Sequence, residues 1–164
     1  MKTRMLVLAV VLILAAGWTL NAQTATKGTA VAEELKAQMQ TILDAWSTLD
    51  ISKVAPYYDT ESRHAFYDVA PLKYTGWKEY AAGSEKMFAG LNSLKFTLAN
   101  DVQTQRRGDM AWGTATFQTV LTQKDGKAET VEGRWTAIWE KRGGKWLVVH
   151  EHVSAPAPMP PQGE

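Results

Sequence analysis

From residue 30 the apolar positions of the chain recur first at helical and then at strand spacing. Leu35, Met39, Ile42, Trp46 and Leu49 fall three to four residues apart, with Glu33, Lys36, Gln40 and Asp44 between them, which predicts an amphipathic helix starting at Ala30. A second, short helix is expected from Asp50 or Ser52, either of which can cap it, to Tyr58; Pro56 inside it removes a backbone donor. The run RHAFYDV, 63–69, has strand character and ends at a loop holding Pro71 and Gly76. Thr75 is then placed to cap a third helix with Trp77, Tyr80, Ala81, Ser84, Met87, Phe88 and Leu91 on its apolar side. After Gly90 the period changes to two. Leu94, Phe96 and Leu98 alternate with Lys95 and Thr97, a turn follows at 106–109, and AWGTATFQTVLTQ, AETVEGRWTAIWEK and KWLVVHEHVS complete an expected antiparallel meander of four strands.

The last hairpin, GRWTAIWEKRGGKWLVVHEHVS (133–154), turns at Arg142-Gly143-Gly144, where a glycine pair supplies positive φ. If Glu140 faces Trp146, pairing sets Ile138 opposite Val148, Thr136 opposite His150 and Arg134 opposite His152. One face then carries Arg134, Thr136, His150 and His152. A one-residue bulge would move these groups to the other face.

The termini and the composition narrow the setting. Lys2 and Arg4 precede an apolar run to Trp18, and Ala22 is a plausible cleavage edge, so residues 1–22 read as a secretory signal peptide, with retention as an N-terminal anchor as the alternative. The expected product is exported, periplasmic or secreted, and free of the membrane once cleaved. Residues 23–29 read as a flexible lead-in, 30–154 as one domain and 155–164, APAPMPPQGE, as a proline-rich disordered tail. Eighteen Lys and Arg against 17 Asp and Glu give no concentrated positive field, so nucleic acid is not an expected partner. The chain has no cysteine, which excludes disulfides and thiolate chemistry, while seven Trp offer large areas for burial.

The opening helix running into AWSTLDISKVAPYYD, the segment FYDVAPLKYTGWKEY, and the closing strands with GGKW and HEHVS together resemble the nuclear transport factor 2-like superfamily, and within it the SnoaL-like and ketosteroid-isomerase-like domains. The resemblance spans about residues 30–154. It implies an α+β fold in which a strongly curved, mixed or antiparallel sheet wraps as a cone around about three N-terminal helices. It also implies an apolar cavity and, in many members, a homodimer formed through the sheet. By the same resemblance Asp68 falls at the position of the isomerases' base. Ile42 stands where those enzymes have a tyrosine, and Thr136 lies near the position of their late aspartate, so two of the three groups are absent and steroid isomerisation is not expected.

Several residues carry candidate chemistry, each beside an ordinary structural role. Asp68, ending an apolar strand beside Tyr67, is either a partly desolvated carboxylate suited to proton transfer or a turn residue capping the next loop. His150 and His152 are two ligands of a metal set that would need Glu132, Asp68 or His64 to complete it, or they orient a polar ligand, or they are satisfied structural histidines; no metal is assigned. Arg134 meets a ligand carboxylate or pairs with Glu132 or Asp68. Trp46 belongs to an aromatic set that can line a cavity. The sequence carries no fingerprint for a cofactor. Its reading is a binding module for a small apolar or amphiphilic molecule, oriented by Arg134, Thr136, His150, His152 and Asp68 with Tyr67 and Trp46 in the pocket. The alternatives are an isomerase, hydratase or cyclase using Asp68 or a histidine, and a structural dimerisation module.

Overall fold

A computed structural model describes residues 30–157. The chain divides into two units, Met1–Glu34 and Leu35–Glu164. Of the first, the described part is residues 30–34, which are helical. The expected signal peptide (1–22) and lead-in (23–29) lie outside the described residues, as do residues 158–164 of the expected tail.

Helix α1 spans 30–46, and its residues in the second unit contribute Leu35, Met39 and Ile42, all fully buried, with Leu43 and Trp46 nearly so. This is the stripe that the apolar spacing predicts. The helix ends in a turn in which Leu49 takes a left-handed φ of 57°, and Asp50 then accepts from the Ser52 N–H at 2.9 Å to cap α2 (Ile51–Val54). Pro56 sits at the start of a 3₁₀ turn, Ala55–Tyr57, where its missing donor costs little. Helix α3 (Trp77–Phe88) is capped at Gly76 rather than at the expected Thr75. The Thr75 N–H instead donates to Glu79 Oε2 at 2.7 Å.

Seven strands form one mixed sheet: β1 (Ala65–Tyr67), β2 (Tyr74–Thr75), β3 (Leu91–Leu98), β4 (Gln103–Arg107), β5 (Met110–Gln123), β6 (Ala128–Arg142) and β7 (Lys145–Ser154). Their order is β2-β1-β7-β6-β5-β3, with β4 also on β5. β1 runs parallel to β7 and every other pairing is antiparallel. The α+β class with a mixed sheet and three helices is thus observed. The meander has one strand more than its apolar alternation predicts: β4, QTQRR, is polar on both faces and leaves no period-two signal, yet it pairs Gln103–Arg107 with Met110–Thr114.

The final hairpin is connected by Gly143 and Gly144 alone, both at positive φ, so Arg142 pairs with Lys145 and Trp146 faces Lys141 rather than Glu140. A bulge follows. Trp139 pairs with Val148 but Ile138 with His150, so Val149 is the extra residue. Before the bulge Trp146 and Val148 face the core; beyond it Val149 and Glu151 do. The expected pairings of Thr136 with His150 and Arg134 with His152 are therefore corrected to Thr136 with His152 and Arg134 with Ser154.

Candidate functional site

The inner face of β6 carries Trp135, Ala137 and Trp139, all buried, and that of β7 carries Val149 and Glu151. Glu151 is the chemical exception in this apolar set, at 1% exposure. A carboxyl so placed must find donors, because burying an unpaired charge costs several kcal/mol. Three elements supply them. Tyr58, just after the 3₁₀ turn, donates to Oε2 at 2.9 Å; Trp135 Nε1 on β6 donates to the same oxygen at 2.9 Å; Tyr80 on α3 donates to Oε1. From α1, Trp46 Nε1 donates in turn to the Tyr58 hydroxyl at 3.0 Å. The rings pack on one another as well, with Trp46 5.3 Å from Tyr80 and Tyr80 stacked on Phe66 at 5.0 Å.

Burial raises the Glu151 carboxyl, hydrogen bonds from Tyr80, Tyr58 and Trp135 pull it back, and the nearby Asp68 raises it again, leaving it at about 7. Near neutrality it is divided between acid and anion and can take or give a proton. Tyr58 and Tyr80 are pushed well above the usual phenol range, first by burial and next by Glu151. Asp68, the residue after β1, is also raised by burial, partly offset by the Val69 N–H, which donates to Oδ1 at 2.7 Å.

Glu151, Tyr80, Trp46 and Asp68 all line one cavity of about 320 Å³. Its walls are apolar: Leu43 from α1, Met87 from α3, and Leu94, Phe96, Phe117, Leu121, Val131 and Val153 from the inner face of the sheet. Val69, at 57% exposure, and Met87, at 48%, reach solvent, as does Ala70, and they mark its rim. Gly133 shapes the wall, because a Cβ there would stand 2.2 Å from Cζ of Phe117.

Of the residues singled out in the sequence, the structure brings Asp68 and Trp46 to this cavity. Arg134, Thr136, His150, His152 and Tyr67 do not line it. They do cluster, but on the opposite face of the sheet, since the Val149 bulge turns the two histidines outward and Glu151 inward. There Tyr67, 38% exposed, packs edge-on against both His150 and His152, and His150 Nδ1 donates to the Ala65 carbonyl at 2.7 Å. Arg134 lines a separate groove with Thr116, Gln118 and Glu132. His64 is held elsewhere, against Asp59. Among the described residues no group of three or more His, Asp or Glu is placed to hold a metal ion. Glu151, Tyr58 and Tyr80 were not singled out. The available signal was alternation: Glu151 shares its register with Val149 and Val153, the apolar face of β7.

The family model for the SnoaL-like domain matches residues 35–158. Among curated proteins none matches the sequence. Solved structures are similar over most of the chain. One is a nuclear transport factor 2-like superfamily protein from Salmonella enterica serovar Typhimurium, 18% identical, with a TM-score of 0.74 over 83% of this chain and 99% of that one. Another is a nuclear transport factor 2-like protein of unknown function from Pseudomonas putida, 25% identical, TM-score 0.68, covering 80% and 90%. A third is the association domain of CaMKII from C. elegans, 24% identical, TM-score 0.65, covering 79% and 98%. The superfamily resemblance carried by the sequence is what these comparisons show.

Proposed function

The chain belongs to the SnoaL-like domain family, and on that basis we propose that it binds a small, largely apolar molecule in the cavity, with the molecule's polar end at Asp68, Tyr80 and Glu151. The observation that carries this reading is a 320 Å³ apolar cavity with two carboxyls among its lining. A site of that size and make-up matches small-molecule pockets, in which apolar walls supply affinity and a few polar groups fix orientation. In this reading Asp68 keeps the orienting role that the sequence suggests for it, and Tyr80 and Glu151 take the place of Arg134, Thr136, His150 and His152.

The test is native mass spectrometry of the purified protein with denaturing extraction, repeated on Leu121→Trp, which fills the cavity from its wall. A compound retained by the wild type and lost from the variant supports the reading. Neither retention nor a thermal shift with any apolar compound screened overturns it.

A second reading is favoured by the two raised carboxyls. Asp68 as the anion takes a proton from carbon, and Glu151 as the acid returns one to an oxygen of the same molecule through Tyr80: chemistry of the isomerase or dehydratase kind. For assembly, one similar structure is an association domain, which supports a homodimer through the outer sheet face bearing Tyr67, His150 and His152; light scattering on the purified protein tests it. Export with cleavage near Ala22 is tested by N-terminal sequencing of the mature protein.

A further inference from the structure

Thr119 is the buried polar side chain of the cavity whose oxygen goes unused. It lies on the inner side of β5, lines the cavity and is 5% exposed, yet its Oγ1 has no hydrogen-bond partner among the described residues. The other buried polar groups of the same cavity are satisfied: Ser84 Oγ donates to the Tyr80 carbonyl at 2.9 Å, and Glu151 accepts from three donors. Packing does not account for the oxygen. Valine has the same shape, suits a strand equally well, and escapes the penalty of an unpaired buried hydroxyl. Trp139 and Trp146 also have unpartnered indole nitrogens, but neither lines the cavity. In its present rotamer the Thr119 oxygen is shielded, and rotation about one bond, Cα–Cβ, turns it onto a molecule in the cavity.

The strand register sets the distance from this hydroxyl to the carboxyl end. Thr119 pairs with Val131, and Trp135, whose indole holds Glu151, is four residues further along β6. At the rise of an extended strand that separation is roughly 13 Å, which places the two polar positions on the order of 10 Å apart or a little more. The wall between them is apolar, formed in part by Phe117, which pairs with Gly133 midway between Val131 and Trp135.

We propose that the cavity's ligand is an elongated, apolar molecule with a hydrogen-bonding oxygen or nitrogen at each end, one taken by Asp68, Tyr80 and Glu151 and the other by the Thr119 hydroxyl. This rests on the binding reading above and narrows it to a ligand class.

Two rigid probes test it by calorimetry on the full chain: 4-phenylphenol, with one hydroxyl, and 4,4′-dihydroxybiphenyl, whose second hydroxyl lies about 10 Å from the first. The wild type is expected to bind the diol roughly tenfold more tightly, the gain of one extra hydrogen bond. Thr119→Val should reduce that preference to about twofold, the statistical advantage of a symmetrical molecule, without changing affinity for 4-phenylphenol. Thr119→Ser should keep the tenfold preference. Equal binding of the two probes by the wild type, or a tenfold preference surviving in Thr119→Val, overturns the inference and leaves the cavity reading in place. Binding of neither probe overturns the inference, and the cavity reading is then decided by the retention and thermal-shift test above.

Discussion

Trp135 and Glu151 lie on neighbouring strands, and the indole nitrogen of the first donates to a carboxyl oxygen of the second at 2.9 Å. With Tyr58 and Tyr80 this surrounds the carboxyl with donors, an arrangement suited to the anion, while burial favours the neutral acid. The result is a carboxyl at about 7 against an ordinary 4.5.

The stability profile follows from that shift. Between pH 4.5 and about 7 the folded protein holds a proton that the unfolded chain has released, so stability falls as the pH rises. The contribution of Glu151 is complete below about pH 4.5 and gone above about 7. Glu151→Gln cannot titrate. The difference in unfolding free energy, wild type minus variant, should therefore decline by about 3 kcal/mol across this window in urea titrations. A difference that stays level would mean that the carboxyl titrates normally.

Asp59 has the opposite sign. It is 3% exposed and receives His64 Nε2 at 2.6 Å, Arg142 Nη1 at 2.8 Å and the Glu61 N–H at 3.1 Å. Burial alone would raise it, but hydrogen bonds from His64, Ser62 and the Glu61 N–H, with the Arg142 charge, hold it well below the usual carboxylate range. Its contribution is present above pH 3.8 and lost as the pH falls further. Asp59→Asn should cost about 2 kcal/mol at neutral pH, and less toward pH 3, where the unfolded chain takes up a proton at Asp59 while the folded carboxylate stays ionised. A constant cost at both pH values would assign the effect to shape rather than charge.

Most of this fold is legible in the sequence, because the apolar period of α1, α3, β5, β6 and β7 is set by what each buries. Asp68 was legible as well, as an acid ending an apolar strand. Glu151 was hidden by its neighbours: His150 and His152 draw attention to the polar face of β7, whereas Val149 and Val153 mark the buried one. The bulge at Val149 decided which face turned inward, and a bulge that follows from strand twist and core packing leaves no local mark in a run such as WLVVHEH. The donors Tyr58 and Tyr80 come from elements far apart in the chain, and only the packed structure brings them to one carboxyl.

Gly133 provides a steric test of the cavity wall. Its missing Cβ leaves room for the Phe117 ring, which would otherwise be met at 2.2 Å. Gly133→Ala should lower stability by about 1–3 kcal/mol, the usual range for overpacking. Phe117→Leu placed in the same chain should recover most of that loss, whereas independent sites would simply add. Thermal unfolding of the two single variants and the double variant measures the coupling.

Asp68 and Glu151 share the cavity, and the charge of the first is one cause of the raised value of the second. That coupling separates two roles for Asp68 even before a ligand is known. Asp68→Asn keeps the shape and removes the charge, so Glu151 should ionise at lower pH and the stability decline described above should be complete below about 7. If Asp68 only fixes the ligand's polar end, the same variant weakens binding in proportion to a lost charged hydrogen bond, roughly tenfold or more. If it takes a proton from the bound molecule, affinity stays within a few-fold while turnover falls by at least about a hundredfold, because the acceptor is lost and the contact is kept. A Glu151 titration that does not move in Asp68→Asn would show that the two carboxyls do not sense each other, and proton traffic between them through the ligand would lose its electrostatic basis.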